Sequence, residues 1–255
     1  MKRIWPLALL GVVAYLVFAL ATLPASLVTS RLASMGIGVG GVSGTAWNGR
    51  AQVLQAGTLN LGAATWKLHP LALLTGRLQA DVELTRRDGF AKTGLTMSLG
   101  GRTTFNQLTA SVPMGAMPPR FFPGGWTGTL NLKLAELTLV GGWPTNATGT
   151  IEAVDLTGPA RKPSNVGSYK VTFPAPNQPA PAKGKPGDAL AGALTDMGGP
   201  LKITGTLQLK PDRSYVIDGL VATGPQTPKD VADSLQFLGA PDAQGRRQFS
   251  LAGTF

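Results

Sequence analysis

Gly128-Thr129-Leu130-Asn131-Leu132-Lys133-Leu134-Ala135-Glu136-Leu137-Thr138-Leu139 is the stretch on which the reading of this chain turns. Leu130, Leu132 and Leu134 alternate with Thr129, Asn131 and Lys133, the two-residue period of a strand with one face buried. Leu137 and Leu139 then carry the apolar positions on the opposite parity. A single extra residue near Ala135-Glu136, a β-bulge, would bring both halves onto the same face.

The opening Gly-Thr-Leu-Asn-Leu of this stretch occurs again at 57–61, with Gly-Thr-Ile at 149–151, Gly-Thr-Leu-Gln-Leu at 205–209 and Gly-Thr-Phe at 253–255. The spacing is irregular, so these are similar strand openings and not the equal periods of a solenoid. Further strands are expected near 51–55, 57–68, 77–84, 93–99, 102–112, 147–156, 167–173, 200–209, 214–222 and 246–255. Strands this close in sequence pair most simply as antiparallel neighbours. The 34 glycines, about twice the usual share, fit many short strands and suit helices poorly.

Helices are few. Pro70 to Gly76 reads as one or two turns opened by proline and closed by glycine. Near the C-terminus Thr227 is placed to cap, Pro228 to take the first helical position and Asp230 to return the capping bond, with Val231, Leu235 and Leu238 as an apolar stripe ending at Gly239. The stretch 188–197 is compatible with a third short helix. Residues 174–187, rich in proline and alanine, have nothing to bury and read as a mobile loop within one sheet.

From Ile4 to Leu23 there is no charged residue, so a helix of about 30 Å fits the apolar thickness of a bilayer. Lys2 and Arg3 precede it, and the positive-inside rule keeps them cytoplasmic and sends the remainder of the chain across the membrane. Ala19-Leu20-Ala21 also has the form of a signal cleavage site, and either reading exports the rest. The expected organisation is an anchor over 1–30 and a periplasmic β domain over 31–255.

Composition excludes several function classes. There is no cysteine, hence no disulfide framework and no thiolate site. The 23 basic residues exceed the 13 acidic ones, but they come as isolated pairs such as Arg86-Arg87 and Arg161-Lys162, without the dense patch of a nucleic-acid surface. No nucleic-acid partner is expected, and lipid is to be met through the N-terminal helix. A metal centre would need several ligands, and the chain offers one histidine, His69, which reads as the end of a strand. Gly41-Val42-Ser43-Gly44-Thr45 lacks the final glycine of a nucleophile elbow. Asp81 and Glu83 share one face of a strand, on its solvated side, and no aromatic sugar platform accompanies them. The glycines 36, 38 and 41 match a dinucleotide spacing but lead into a strand and not a helix. The sequence therefore supplies no catalytic, cofactor-binding or metal-binding residue, no cofactor and no enzyme activity. Trp47, within Gly44-Thr45-Ala46-Trp47-Asn48-Gly49-Arg50, reads as a core anchor at a sheet corner, with Asn48-Gly49 giving a positive-φ turn.

Taken in order, the N-terminal segment, 44–51, Trp66-x-Leu68-x-Pro70-Leu71-Ala72-Leu73-Leu74 with Gly76-Arg77-Leu78, Gly199-Pro200-Leu201 and Leu238-Gly239-x-Pro241-Asp242-x-x-Gly245-Arg246 resemble protein N of the type II (general) secretion pathway. The likeness runs over nearly the whole chain. It implies an accessory inner-membrane subunit that supports export of folded periplasmic proteins, with other inner-membrane secretion subunits and the outer-membrane secretin as partners, and it brings no catalytic residues.

The fold expected is mainly β: an N-terminal transmembrane helix, then an elongated, curved antiparallel sheet with one or two short helices. Trp66-x-Leu68-x-Pro70 also faintly resembles AsmA-like envelope proteins, which leaves open a sheet whose apolar face binds or transfers lipid. An outer-membrane barrel is argued against by the N-terminal segment and by an aromatic content of 7%, too sparse for two girdles.

Overall fold

The computed structural model of the chain describes residues 4–33, 36–57, 59–117, 125–158, 164–176 and 189–254. It is mainly β, and the chain divides into two compact units, residues 1–87 and 88–255.

The first unit holds α1 (Ile4–Ala21), α2 (Ala25–Ala33), β1 (Ile37–Gly40), β2 (Ser43–Gly44), β3 (Asn48–Ala56), β4 (Leu59–Leu68), α3 (Pro70–Leu73) and β5 (Arg77–Arg86). Its strands run antiparallel in the order β1-β3-β4-β5, and β2 also pairs with β3. Short α3 forms as its sequence dictates: Pro70 begins it, and Gly76, at φ +69°, closes it by donating its N–H to Leu73 O at 3.0 Å.

α1 is 18 residues long, about 27 Å at 1.5 Å per residue, and so stops short of the expected 20-residue span. Among the described residues no helix is long and apolar enough to cross a membrane. The early stop has a local cause. Pro24 disfavours helical backbone at Leu23, and the Thr22 hydroxyl turns back to donate to Phe18 O at 2.8 Å. From Leu9 to Leu20 its large side chains are exposed on every side, as at Leu10, Tyr15 and Phe18.

The second unit holds β6 (Gly89–Ser98), β7 (Arg102–Pro113), β8 (Thr127–Val140), β9 (Trp143–Thr157), β10 (Asn165–Phe173), β11 (Leu190–Asp196), β12 (Leu201–Leu209), β13 (Ser214–Thr223), α4 (Lys229–Leu235) and β14 (Arg247–Thr254). Consecutive strands are neighbours, all antiparallel, in the order β6 to β14.

The bulge expected in β8 is present. Leu134 pairs with Gly149 and Glu136 with Thr148, so Ala135 is the extra residue. Leu134 is thereby buried, and Leu137 still reaches the core formed by Ala147, Phe173 and Leu190. Each large apolar side chain so buried contributes about 1.5–3 kcal/mol. Leu207 and Leu209 pack on the same cluster, which therefore lies on one face of β8 to β12.

Three expectations are corrected. Residues 190–196 are the strand β11 and not a helix, because Leu190, Ala191 and Gly192 are buried between β10 and β12, whose ladders outweigh local helix preference. Thr227 does not cap α4: its hydroxyl bonds Pro200 O, while Gly224 N donates to it at 2.8 Å, and Pro228 takes the cap position without a side-chain bond. The stripe of Val231, Leu235 and Leu238 stays partly exposed, and α4 buries no residue. Strand β1, in which Ile37 and Val39 alternate with Gly38 and Gly40 over only four residues, is not one that the sequence predicts. Of the expected loop at 174–187, residues 177–187 lie outside the described residues; β10 and β11, on either side of it, pair directly.

Candidate functional site

Of the residues weighed for catalysis, the structure brings His69 and Asp81 together. His69 follows β4 and its Nε2 lies 2.9 Å from Asp81 Oδ2, an exposed pair across two strands. Asp81 and Glu83 stand opposite Lys67 and Thr65 on the solvated side of β5. Ser43 and Gly44 form β2 itself. Among the described residues no group of three or more His, Cys, Asp or Glu is placed to hold a metal ion.

Tyr169 holds its proton more tightly than an ordinary tyrosine. Burial, and secondarily the Asp196 carboxylate, push its phenol up to about 12. Its hydroxyl donates to Val166 O, so it braces the irregular start of β10 and stays neutral at physiological pH.

The most connected site is a collar below α1. Trp47, at the tip of the β2–β3 hairpin, donates its indole N–H to Leu20 O at 2.8 Å, a helix-end carbonyl that also accepts from Leu23 N at 3.3 Å. Ala46 N donates to Leu23 O at 2.8 Å, and Pro24 bridges to Thr45. The hairpin tip is fixed in turn from β4: Trp66 Nε1 donates to Ala46 O at 3.1 Å, and Leu68 N to Trp47 O at 2.6 Å. Ala25 and Ala46 are almost fully buried in this joint.

The glycines here answer to space and to dihedral. A methyl on Gly49 would run into the Trp66 ring and stand 2.9 Å from Thr45 O, and Gly44, at φ +90°, is the positive-φ residue of the turn. Trp47 is thus half-buried and anchors a helix end, not a core, and Asn48-Gly49 do not supply the left-handed geometry that the sequence suggested. The sequence flagged the tryptophans, but no local pattern pairs Trp47 with a carbonyl 27 residues earlier.

A second feature spans the other unit. Pairing places Ala110, Leu132, Ile151, Val171 and Leu194 in one row across β7 to β11. It continues through Gly205 and Gly219 to Phe249 in β14. Directly paired residues point to the same side, so this row is one apolar face. The neighbouring row, Thr109, Lys133, Thr150 and Thr172 on to Thr206, Asp218 and Ser250, is largely polar and marks the other face.

The motif at 238–246 is a self-tied loop. Asp242 Oδ1 accepts Arg246 N at 2.8 Å and Gln244 N at 2.9 Å, and Oδ2 accepts Arg246 Nε at 2.9 Å. The backbone N–H of Arg246, then that of Gln244, holds this carboxyl below its ordinary range. The loop presents geometry and no reactive group.

Residues 35–250 match the family described as type II secretion system (T2SS), protein N. The chain is 29% identical to the type II secretion system protein N of Aeromonas hydrophila, over 96% of both chains. It is 25% identical to that of Vibrio cholerae serotype O1, over 99% of both. No solved structure gives a significant match. The family match covers far more than half of the sequence, and both relatives are aligned end to end: the chain belongs to the type II secretion system protein N family.

Proposed function

We propose that this chain is a non-enzymatic accessory subunit of the type II secretion system. In this reading α1 is seated in the inner membrane with the N-terminus cytoplasmic. Residues 31–255 form a periplasmic β domain that contacts other inner-membrane secretion subunits and the outer-membrane secretin. Family membership supports the secretion role.

The observation that carries the anchored reading is the pairing of an all-round apolar, exposed helix with the collar at its base. A helix with no polar face is stable only among apolar neighbours, in a protein core or in lipid, and α1 between Leu9 and Leu20 has no core around it. The hydrogen bonds from Trp47 and Ala46 couple the helix end to the β2–β3 hairpin.

The test is photocrosslinking in intact cells, with reactive residues placed along 44–50 and 128–134, combined with alkaline extraction of membranes. Adducts with secretion subunits and retention of the full chain in the extracted membrane are expected. Release of the chain by alkali, or adducts with phospholipid alone, would defeat the proposal.

The apolar row from Ala110 to Phe249 favours one other reading, a sheet face that binds or transfers lipid. No second sheet among the described residues covers that face. Recovery of phospholipid in place of protein from the 128–134 positions would support it.

A further inference from the structure

We propose that β14 is the contact strand of a symmetric dimer, pairing antiparallel with β14 of a second copy of this chain about a two-fold axis at Leu251. The inference goes beyond the secretion role and does not depend on it. β14 is last in the strand order, with β13 as its one strand neighbour among the described residues. It runs for eight residues in unbroken register, Arg247 against Val221 through to Thr254 against Ser214.

Exposed edges of this kind are normally guarded by lysine, proline or a bulge, because their free N–H and C=O groups invite another strand. From Gln248 to Thr254 this edge has no charge and no proline, and its register contains no shift. Leu251, in the middle of it, is 53% exposed.

The residues along the edge fit a copy of themselves. A two-fold axis perpendicular to the sheet at Leu251 sets Leu251 opposite Leu251, Phe249 opposite Gly253, Ser250 opposite Ala252 and Gln248 opposite Thr254. Odd positions stay on the apolar face in both copies and even positions on the polar face, so the apolar row runs through the junction. An aromatic facing glycine is already how β13 and β14 fit together: Phe249 pairs with Gly219, where a methyl would stand 3.0 Å from the ring, and Tyr215 pairs with Gly253.

Charge permits the same arrangement. The two Arg247 residues would sit eight positions apart along the ladder, roughly 27 Å at 3.4 Å per residue. That is well beyond the screening length of about 8 Å at physiological salt. Between Gln248 and Thr254 an unrelated acidic or basic partner strand would find no charge to pair with.

The absence of native cysteine gives a clean test. Directly opposed residues of an antiparallel pair have Cα atoms about 4.5–5.5 Å apart, within reach of a disulfide. The full chain carrying Leu251→Cys, purified in detergent and mildly oxidised, should become mostly a covalent dimer. Gln248→Cys should give at least ten-fold less, and a mixture of Gln248→Cys with Thr254→Cys should crosslink between the two variants. Leu251→Lys, which opposes like charges at the axis, should shift the sedimenting species from dimer to monomer. A Leu251→Cys chain that stays monomeric overturns the proposal. Equal crosslinking of the Leu251→Cys and Gln248→Cys chains, or in membranes a Leu251→Cys adduct with a different polypeptide in place of the dimer, overturns it as well.

Discussion

Replacing Gly149 by alanine tests the bulge that organises the second unit. Gly149 pairs with Leu134 just before the extra residue Ala135, and has φ +130°. A methyl there would stand 2.8 Å from Leu134 Cα and nearer still to the Lys133 carbonyl oxygen, both of them backbone that no rotamer change can clear.

Two costs add. Forcing a non-glycine residue into this region costs of order 1–3 kcal/mol, and overpacking costs typically about 1–3 kcal/mol. A total near 3 kcal/mol is a large part of the roughly 5–15 kcal/mol by which a domain is stable. For a unit of this size each kcal/mol moves the melting temperature by about 2–4 °C, so Gly149→Ala should lower Tm by roughly 6–12 °C. The control is Gly141→Ala, at φ +58° with nothing within 4 Å of the added methyl, which bears the dihedral cost alone. Thermal melts followed by circular dichroism in the strand region would measure both. If Gly149→Ala melts no lower than Gly141→Ala, the close approach across the bulge does not exist, and the assignment of Ala135 as the extra residue fails with it.

Trp47→Phe keeps the ring and removes the donor to Leu20 O, so the joint below α1 should weaken by about 1 kcal/mol, seen as roughly five-fold faster hydrogen exchange at the Ala46 amide; an unchanged rate would mean that the indole bond does not secure the collar. The phenol of Tyr169, raised in the folded chain to about 12 from 10, binds its proton more tightly when folded. Its contribution to stability is complete below pH 10 and is lost as pH rises toward 12. An ultraviolet titration of the folded chain should show a tyrosinate component near pH 12 that Tyr169→Phe removes, and its survival in that variant would assign the proton elsewhere.

The sequence by itself determined what is local and periodic. The alternation through 128–139, with its change of parity, placed a strand, its buried face and its bulge, because a two-residue period leaves only one way to keep Leu134 and Leu137 on the same side. Pro70 and Gly76 delimited α3 for a similarly local reason: each restricts its own backbone dihedrals. Composition limits what the chain can assemble, since it has one histidine and no cysteine. Only tertiary structure decided the rest. Alanine-rich 190–196 became a strand because two neighbouring ladders claimed its backbone, and Thr227 gave its hydroxyl to Pro200 in place of α4. Trp47 reached back to a helix end that nothing around it in sequence announces. Contacts between residues far apart in the chain depend on where the whole sheet carries them, and no local pattern of side chains encodes that position.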